Sequence, residues 1–145
     1  MASTSIYLNF ADSTERAFAF YKSIFGTDYV GQLTRFGDVP SMEGMPELSD
    51  ADKNLIMNMQ LPITGGHMLM GSDAPASMGM TVNVGNNFYI CLNTDTREEA
   101  DTLFAALSAG GKVESPMADM FWGDYWGSFA DKFGIQWMIN CTSKS

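Results

Sequence analysis

Two stretches decide how this chain folds: Leu8-Asn9, followed by Ala17, Phe20, Tyr21, Ile24 and Val30, and Leu92-Asn93, followed by Ala100, Leu103, Phe104, Leu107 and Val113. From Ala17 onward the two series run at a constant offset of 83, and one residue is dropped in the connection before it. Internal similarity of this kind fixes the architecture ahead of any local reading. It predicts two copies of a strand-helix-strand unit. Small ligands favour crevices between repeated units, so the repeat also directs the search for function to the inner strands.

Each copy carries its own punctuation. Residues 5–10 form a short apolar-rich run that ends in the turn Ala11-Asp12-Ser13, which predicts a strand. Asp12 with Glu15 is a variant of the helix-start signature. Ala17, Phe18, Tyr21, Ile24 and Phe25 then recur at spacings of three and four until Gly26 stops them. In the second copy, Thr96 with Glu99 has the strict capping-box spacing. The stripe Ala100, Leu103, Phe104 and Leu107 follows, and Gly110-Gly111 closes the helix. Further strands are predicted at 29–36, 55–61 and 67–70 in the first half, with loops at 37–52 and 72–85. The second half continues with strands at 112–118, 124–130 and 135–141. Aligning Gly66 with Gly134 sets Met70 against Met138, so the repeat reaches the last strand. Each half therefore reads strand, helix, strand, strand, strand, within a single domain spanning 1–145.

Composition excludes several function classes. With 8 Lys+Arg against 17 Asp+Glu, the net charge of −9 opposes attraction to nucleic acid or to an anionic membrane. No cationic segment leads into an apolar one at the N-terminus, and no apolar run approaches the roughly 18 residues of a membrane span. A cytoplasmic location is the simplest expectation. Cys91 and Cys141 lie in apolar stretches without CxxC spacing and read as reduced, buried thiols. There is no GxSxG, no cysteine with a histidine partner at a recognisable spacing, and no phosphate-cradling glycine loop.

Six further stretches identify a family. They are Tyr7-Leu8-Asn9-Phe10, Ala19-Phe20-Tyr21, Met70-Gly71-Ser72-Asp73-Ala74-Pro75, Asn87-Phe88-Tyr89-Ile90, Phe121-Trp122-Gly123-Asp124-Tyr125 and the run from Asp131 to Met138. Together they resemble the PhnB-like branch of the vicinal oxygen chelate superfamily, which includes glyoxalase I, bleomycin-resistance proteins and extradiol dioxygenases. The resemblance implies an α+β fold of paired βαβββ modules, here 5–71 and 86–141, with curved mixed sheets around a cavity, and often a homodimer. It does not imply one reaction, because a fold hosts many chemistries.

Metal-dependent members of that superfamily usually place His, Glu or Gln on the first and last strand of each module. Laid on this chain, the four positions fall at about Ser5, Met70, Tyr89 and Met138, none of them a normal ligand for a hard or borderline divalent cation. A register shift of one or two residues brings in His67, Asn9, Asn87 or Gln136, which still supply one imidazole and no carboxylate. The expectation is a site without metal or other cofactor.

Two residues are weak catalytic candidates. His67, the only histidine, could act as a base at a cavity mouth, but without a partner it reads more simply as a strand-start residue. Asp73 could reach a ligand, although its place two residues before Pro75 suits a turn. The aromatic run Phe121 to Trp126 reads equally as a cavity wall or as packing, and alternation would set Trp122 and Trp126 on one face with Tyr125 on the other. Asp119, Asp124 and Asp131 around it read as solvated or turn carboxylates. The leading expectation is a protein that binds a small apolar or aromatic molecule between the modules through Tyr7, Met70, Tyr89, Trp122, Trp126 and Met138. The alternatives are a metal-dependent lyase, isomerase or dioxygenase, and an interaction module whose cavity is filled by its own side chains.

Overall fold

Strand, helix and three strands follow one another in each half of the molecule. The computed structural model describes residues 1–40, 44 and 46–142, and the chain divides into two units, Met1–Asn83 and Val84–Ser145. In the first unit, module 1, β1 (Ile6–Phe10) leads into α1 (Thr14–Phe25), β2 (Val30–Arg35), β3 (Ile56–Pro62) and β4 (Met68–Asp73). A one-turn helix, α2 (Asp50–Lys53), precedes β3. In the second unit, module 2, the order is β5 (Ile90–Thr94), α3 (Arg97–Ser108), β6 (Lys112–Asp119), β7 (Tyr125–Ala130) and β8 (Gln136–Cys141).

The sheets have matching topology, β1-β4-β3-β2 and β5-β8-β7-β6. In each, the first and last strands pair in parallel and the other contacts are antiparallel, so both sheets are mixed. The helices are 12 residues each and keep the offset of 83. The hairpin turns before β4 and β8 also coincide. Ile63 N–H donates to His67 O at 2.8 Å and Gly66 N–H to Ile63 O at 2.9 Å. Asp131 N–H donates to Ile135 O at 2.8 Å and Gly134 N–H to Asp131 O at 3.0 Å. Both turns need a glycine with positive φ, 78° at Gly66 and 90° at Gly134.

Each helix covers one face of its own sheet. A Cβ added at Gly71 would lie 2.8 Å from the Phe18 ring, and one at Gly127 would lie 2.8 Å from the Phe104 ring, which identifies the helix-covered faces. Leu8, Phe10, Met59, Leu61 and Leu69 pack there with Ala17, Phe18 and Tyr21 in module 1. Ile90, Leu92, Phe129, Trp137 and Ile139 pack with Ala100, Leu103 and Leu107 in module 2. Burying each large apolar side chain contributes about 1.5–3 kcal/mol.

Several local expectations are corrected. Ser13, not Asp12, occupies the N-cap of α1, and it makes no side-chain cap bond. The segment expected as a loop from 72 begins as strand, because β4 runs on to Asp73, and a 3-10 turn follows at Ala76–Met78. The 37–52 loop contains part of a 3-10 turn (Phe36–Asp38) and the start of α2, while 41–43 and 45 lie outside the described residues. Cys141 is a buried free thiol, but Cys91 is exposed, because β5 turns it away from α3. Among the described residues no helix is long and apolar enough to cross a membrane.

Candidate functional site

Strand alternation delivers every second residue to the sheet face that the helix leaves uncovered. In module 1, Tyr7 pairs with Met70, which pairs with Gln60, so three side chains from β1, β4 and β3 stand in a row on that open face. Asn9 and Ser72 form the next pair, and Ser72 Oγ donates to Asn9 Oδ1 at 3.1 Å. Asn58, on the same strand parity as Gln60, has a buried Oδ1 without a hydrogen-bond partner among the described residues. In module 2, Cys91 pairs with Met138, which pairs with Ser128. Asn93 pairs with Asn140, which pairs with Trp126.

Both open faces thus combine thioether, aromatic, amide and hydroxyl groups. Tyr89, two residues before Cys91, donates its phenol to Glu114 Oε1 at 2.9 Å. That bond, with some desolvation, pushes the Tyr89 phenol above its ordinary pKa, and partial burial pushes the Cys91 thiol up. Both stay protonated at neutral pH, so neither supplies a ready thiolate or phenolate. Within either module, no three His, Cys, Asp or Glu side chains gather as a cation would require among the described residues. Tyr89 and the residues Ser5, Met70 and Met138 offer a phenol, a hydroxyl and two thioethers, a donor set that does not fit zinc, nickel or manganese.

Of the six side chains expected to bind a ligand, Tyr7 and Met70 are cross-strand partners, Met138 and Trp126 lie on the open face of module 2, and Tyr89 precedes β5 with its hydroxyl on Glu114 of β6. Trp122 is elsewhere. The turn closed by Gly123 N–H to Met120 O and Met120 N–H to Asp124 O holds it before β7 begins, where it is 54% exposed and edge-on to Phe121. Strand alternation therefore does not relate Trp122 to Trp126. Tyr125 faces α3, with its hydroxyl donating to Asp101 Oδ1 at 2.6 Å and Arg97 over its ring.

His67 and Asp73 make no hydrogen bond or ion pair with each other. The imidazole Nε2 of His67 is buried without a hydrogen-bond partner among the described residues. The Asp73 carboxylate is buried and accepts from Thr14 N–H at 2.9 Å, Thr14 Oγ1 at 2.7 Å and Ile56 N–H at 2.8 Å, which ties the start of α1 and the start of β3 to the end of β4. Asp131, expected as a solvated or turn carboxylate, is a turn residue but not a solvated one. It is buried in the turn before β8, accepting from Phe133 N–H, Ile135 N–H and the Trp137 indole N–H. Gln60, Cys91, Asn93, Ser128 and Asn140 are open-face residues that no sequence motif singles out, and the opening repeat carries the signal for two of them: once Leu8 and Leu92 face the helices, Cys91 and Asn93 must face the other way.

Comparison with known proteins agrees with this geometry. Residues 7–139 match the model of the glyoxalase/bleomycin resistance protein/dioxygenase superfamily. The chain is 29% identical to protein YjdN of Escherichia coli over 141 residues, covering 94% of this chain and 92% of that one. The structure of PA1353 from Pseudomonas aeruginosa superimposes with a TM-score of 0.82 at 33% identity, over 97% of this chain and 98% of the other. The PhnB protein from Bacillus cereus gives a TM-score of 0.75 at 20% identity, over 97% and 99%. Shared topology, matched hairpins and a family match that spans both modules lead to one conclusion: the chain belongs to the glyoxalase/bleomycin resistance protein/dioxygenase superfamily.

Proposed function

We propose that the protein binds a small uncharged molecule with apolar or aromatic surface on the open sheet faces, and does so without a metal. The observation that carries this reading is the in-register set Tyr7-Met70-Gln60 in module 1 and Cys91-Met138-Ser128 with Asn93-Asn140-Trp126 in module 2. Thioether and aromatic groups supply adaptable apolar contact, and the amides and hydroxyls fix orientation. The protonated Tyr89 and Cys91 support recognition over covalent or metal chemistry. A homodimer is part of the proposal on the family resemblance, and light scattering measures it.

The test is a fluorescence and thermal-shift titration with uncharged aromatic compounds. A bound ring against Trp126 alters indole emission, and Trp126→Ala weakens binding by about 1–3 kcal/mol. Ligand raises the Tm as its concentration passes Kd. A stoichiometric transition metal in protein purified without chelator, lost together with activity, would instead establish the metal-dependent reading. No spectral or thermal response from the panel would favour the self-filled module.

A further inference from the structure

Module 1 also holds a cavity of 570 Å³ at the connection between β2 and β3, and none of the open-face residues Tyr7, Met70 and Gln60 lines it. Phe36, Val39, Leu48, Met57 and Met78 give it an apolar lining, and Glu47 stands at its wall. Such a volume is ample for a small organic ligand.

The walls around Phe36, Lys53 and Met78 are held in place by specific bonds. Phe36 N–H donates to Leu55 O at 3.0 Å, and Asp38 Oδ2 accepts from Arg35 N–H at 2.9 Å. Asp52 Oδ2 accepts from Ser77 N–H at 3.0 Å and from Ser77 Oγ at 2.5 Å, which joins α2 to the turn that carries Met78. At Gly37 an added Cβ would lie 2.9 Å from Lys53 O, so the turn after β2 is packed against the end of α2. Walls ordered before a ligand arrives lower the cost of binding it.

Met57 reaches the cavity through a break in the sheet. Arg35 pairs with Ile56 and Thr34 pairs with Asn58, so Met57 is the extra residue of a β-bulge. Bulges re-aim side chains. This one leaves Ile56 buried at 1% exposure and turns Met57 out of the core at 40%.

Charge narrows the ligand. Lys53 lines the cavity but is paired with Asp50 at 3.7 Å. Among the acids of the walls, Asp38 and Asp52 accept backbone or hydroxyl hydrogens, whereas Glu47 has no ion-pair partner among the described residues. The spare charge at the cavity is negative, in a chain of net charge −9. A methionine and phenylalanine lining favours an aromatic body through sulfur–ring contacts. From this we infer that the cavity is a second ligand site, taking a small protonated amine that carries an aromatic ring, with the ring on Met57 and Met78 and the ammonium on Glu47.

The experiment uses the full chain with its methionine methyl groups labelled with carbon-13, and Met57→Leu and Met78→Leu variants assign the two cavity signals. The probes are 2-phenylethylammonium, the neutral 2-phenylethanol and the anionic 3-phenylpropionate. The proposal expects the Met57 and Met78 methyl signals to shift with the amine. It expects the amine to bind up to about five-fold more tightly than the alcohol, as an exposed charge contact allows, and Glu47→Gln to remove that preference. Shifts confined to Met70 or Met138 would place the ligand on an open sheet face and overturn it. Equal response to all three probes, an unchanged preference in Glu47→Gln, or no shift at millimolar amine would overturn it as well. These readouts are separate from Trp126 emission, so the cavity and the open-face reading stand or fall independently.

Discussion

Module 1 holds the start of its helix with a carboxylate from the end of its last strand, whereas module 2 holds its helix with a hydroxyl one turn away. Asp73 bonds to Thr14 across 59 residues. Cys141 stands at the matching last position of β8, and Thr96 Oγ1 instead accepts from Glu99 N–H across three. A second exchange concerns volume. The cross-strand pair Met59 and Gly71 in module 1 corresponds to Gly127 and Ile139 in module 2, so the glycine moves from the last strand to the one beside it. Phe18 fills the space over Gly71, and Phe104 fills the space over Gly127. The repeat therefore keeps topology and hairpin geometry while each module solves capping and packing by its own means.

The sharpest way to break this comparison is Asp73→Ala. It leaves two backbone N–H groups and a hydroxyl unpaired in the core, and urea unfolding is expected to show a loss of about 3 kcal/mol or more. A loss below 1 kcal/mol would mean that Asp73 is not the anchor of α1. The glycine exchange comes next. Gly71→Ala is expected to cost about 1–3 kcal/mol by overpacking, with partial recovery in the double variant carrying Phe18→Leu. Gly127→Ala should be less readily rescued by trimming Phe104, because its Cβ would also meet the Met117 backbone nitrogen at 2.9 Å.

Thr96→Ala tests the local cap and is expected to lower stability by about 1 kcal/mol, with the helical signal otherwise retained. The smallest effect belongs to the ion pairs. Arg35 at the end of β2 meets Glu15 in the first turn of α1, and Arg97 in the first turn of α3 meets Asp119 at the end of β6, so the charges are reversed between modules. The hydrogen bond from Arg35 holds the Glu15 carboxyl below its ordinary range. Its contribution is therefore complete above the unfolded-state pKa and fades as pH falls through the lower folded value. The pair is half-exposed, so Glu15→Gln should cost no more than about 0.5 kcal/mol at neutral pH, and that difference should vanish in acid.

Local and periodic signals made much of this legible in the sequence. Leu8-Asn9 against Leu92-Asn93, Thr96 with Glu99, and Gly66 against Gly134 each describe a feature that a few neighbouring residues determine. The cap of α1 was not legible, because Asp73 acts at a distance and nothing near Asp12 announces it. The bulge at Met57 breaks alternation within Leu55-Ile56-Met57-Asn58, where nothing in the sequence marks one residue as inserted. Trp122 was placed on a strand face because a dense aromatic run hides the turn centred on Gly123. The open faces were readable in part: alternation selects Tyr7, Met70 and Met138, but Gln60, Ser128 and Asn140 join them only through register, which pairing decides.

The span of the Asp73 anchor also bears on the order in which the molecule assembles. A contact between residues 59 apart forms only after the intervening chain has been closed into a loop, whereas one spanning three residues forms as the helix itself nucleates. The start of α3 can therefore be secured before the second sheet exists. The start of α1 waits for β4 to arrive beside β1, so substitutions at Asp73 should act on unfolding, and those at Thr96 on refolding.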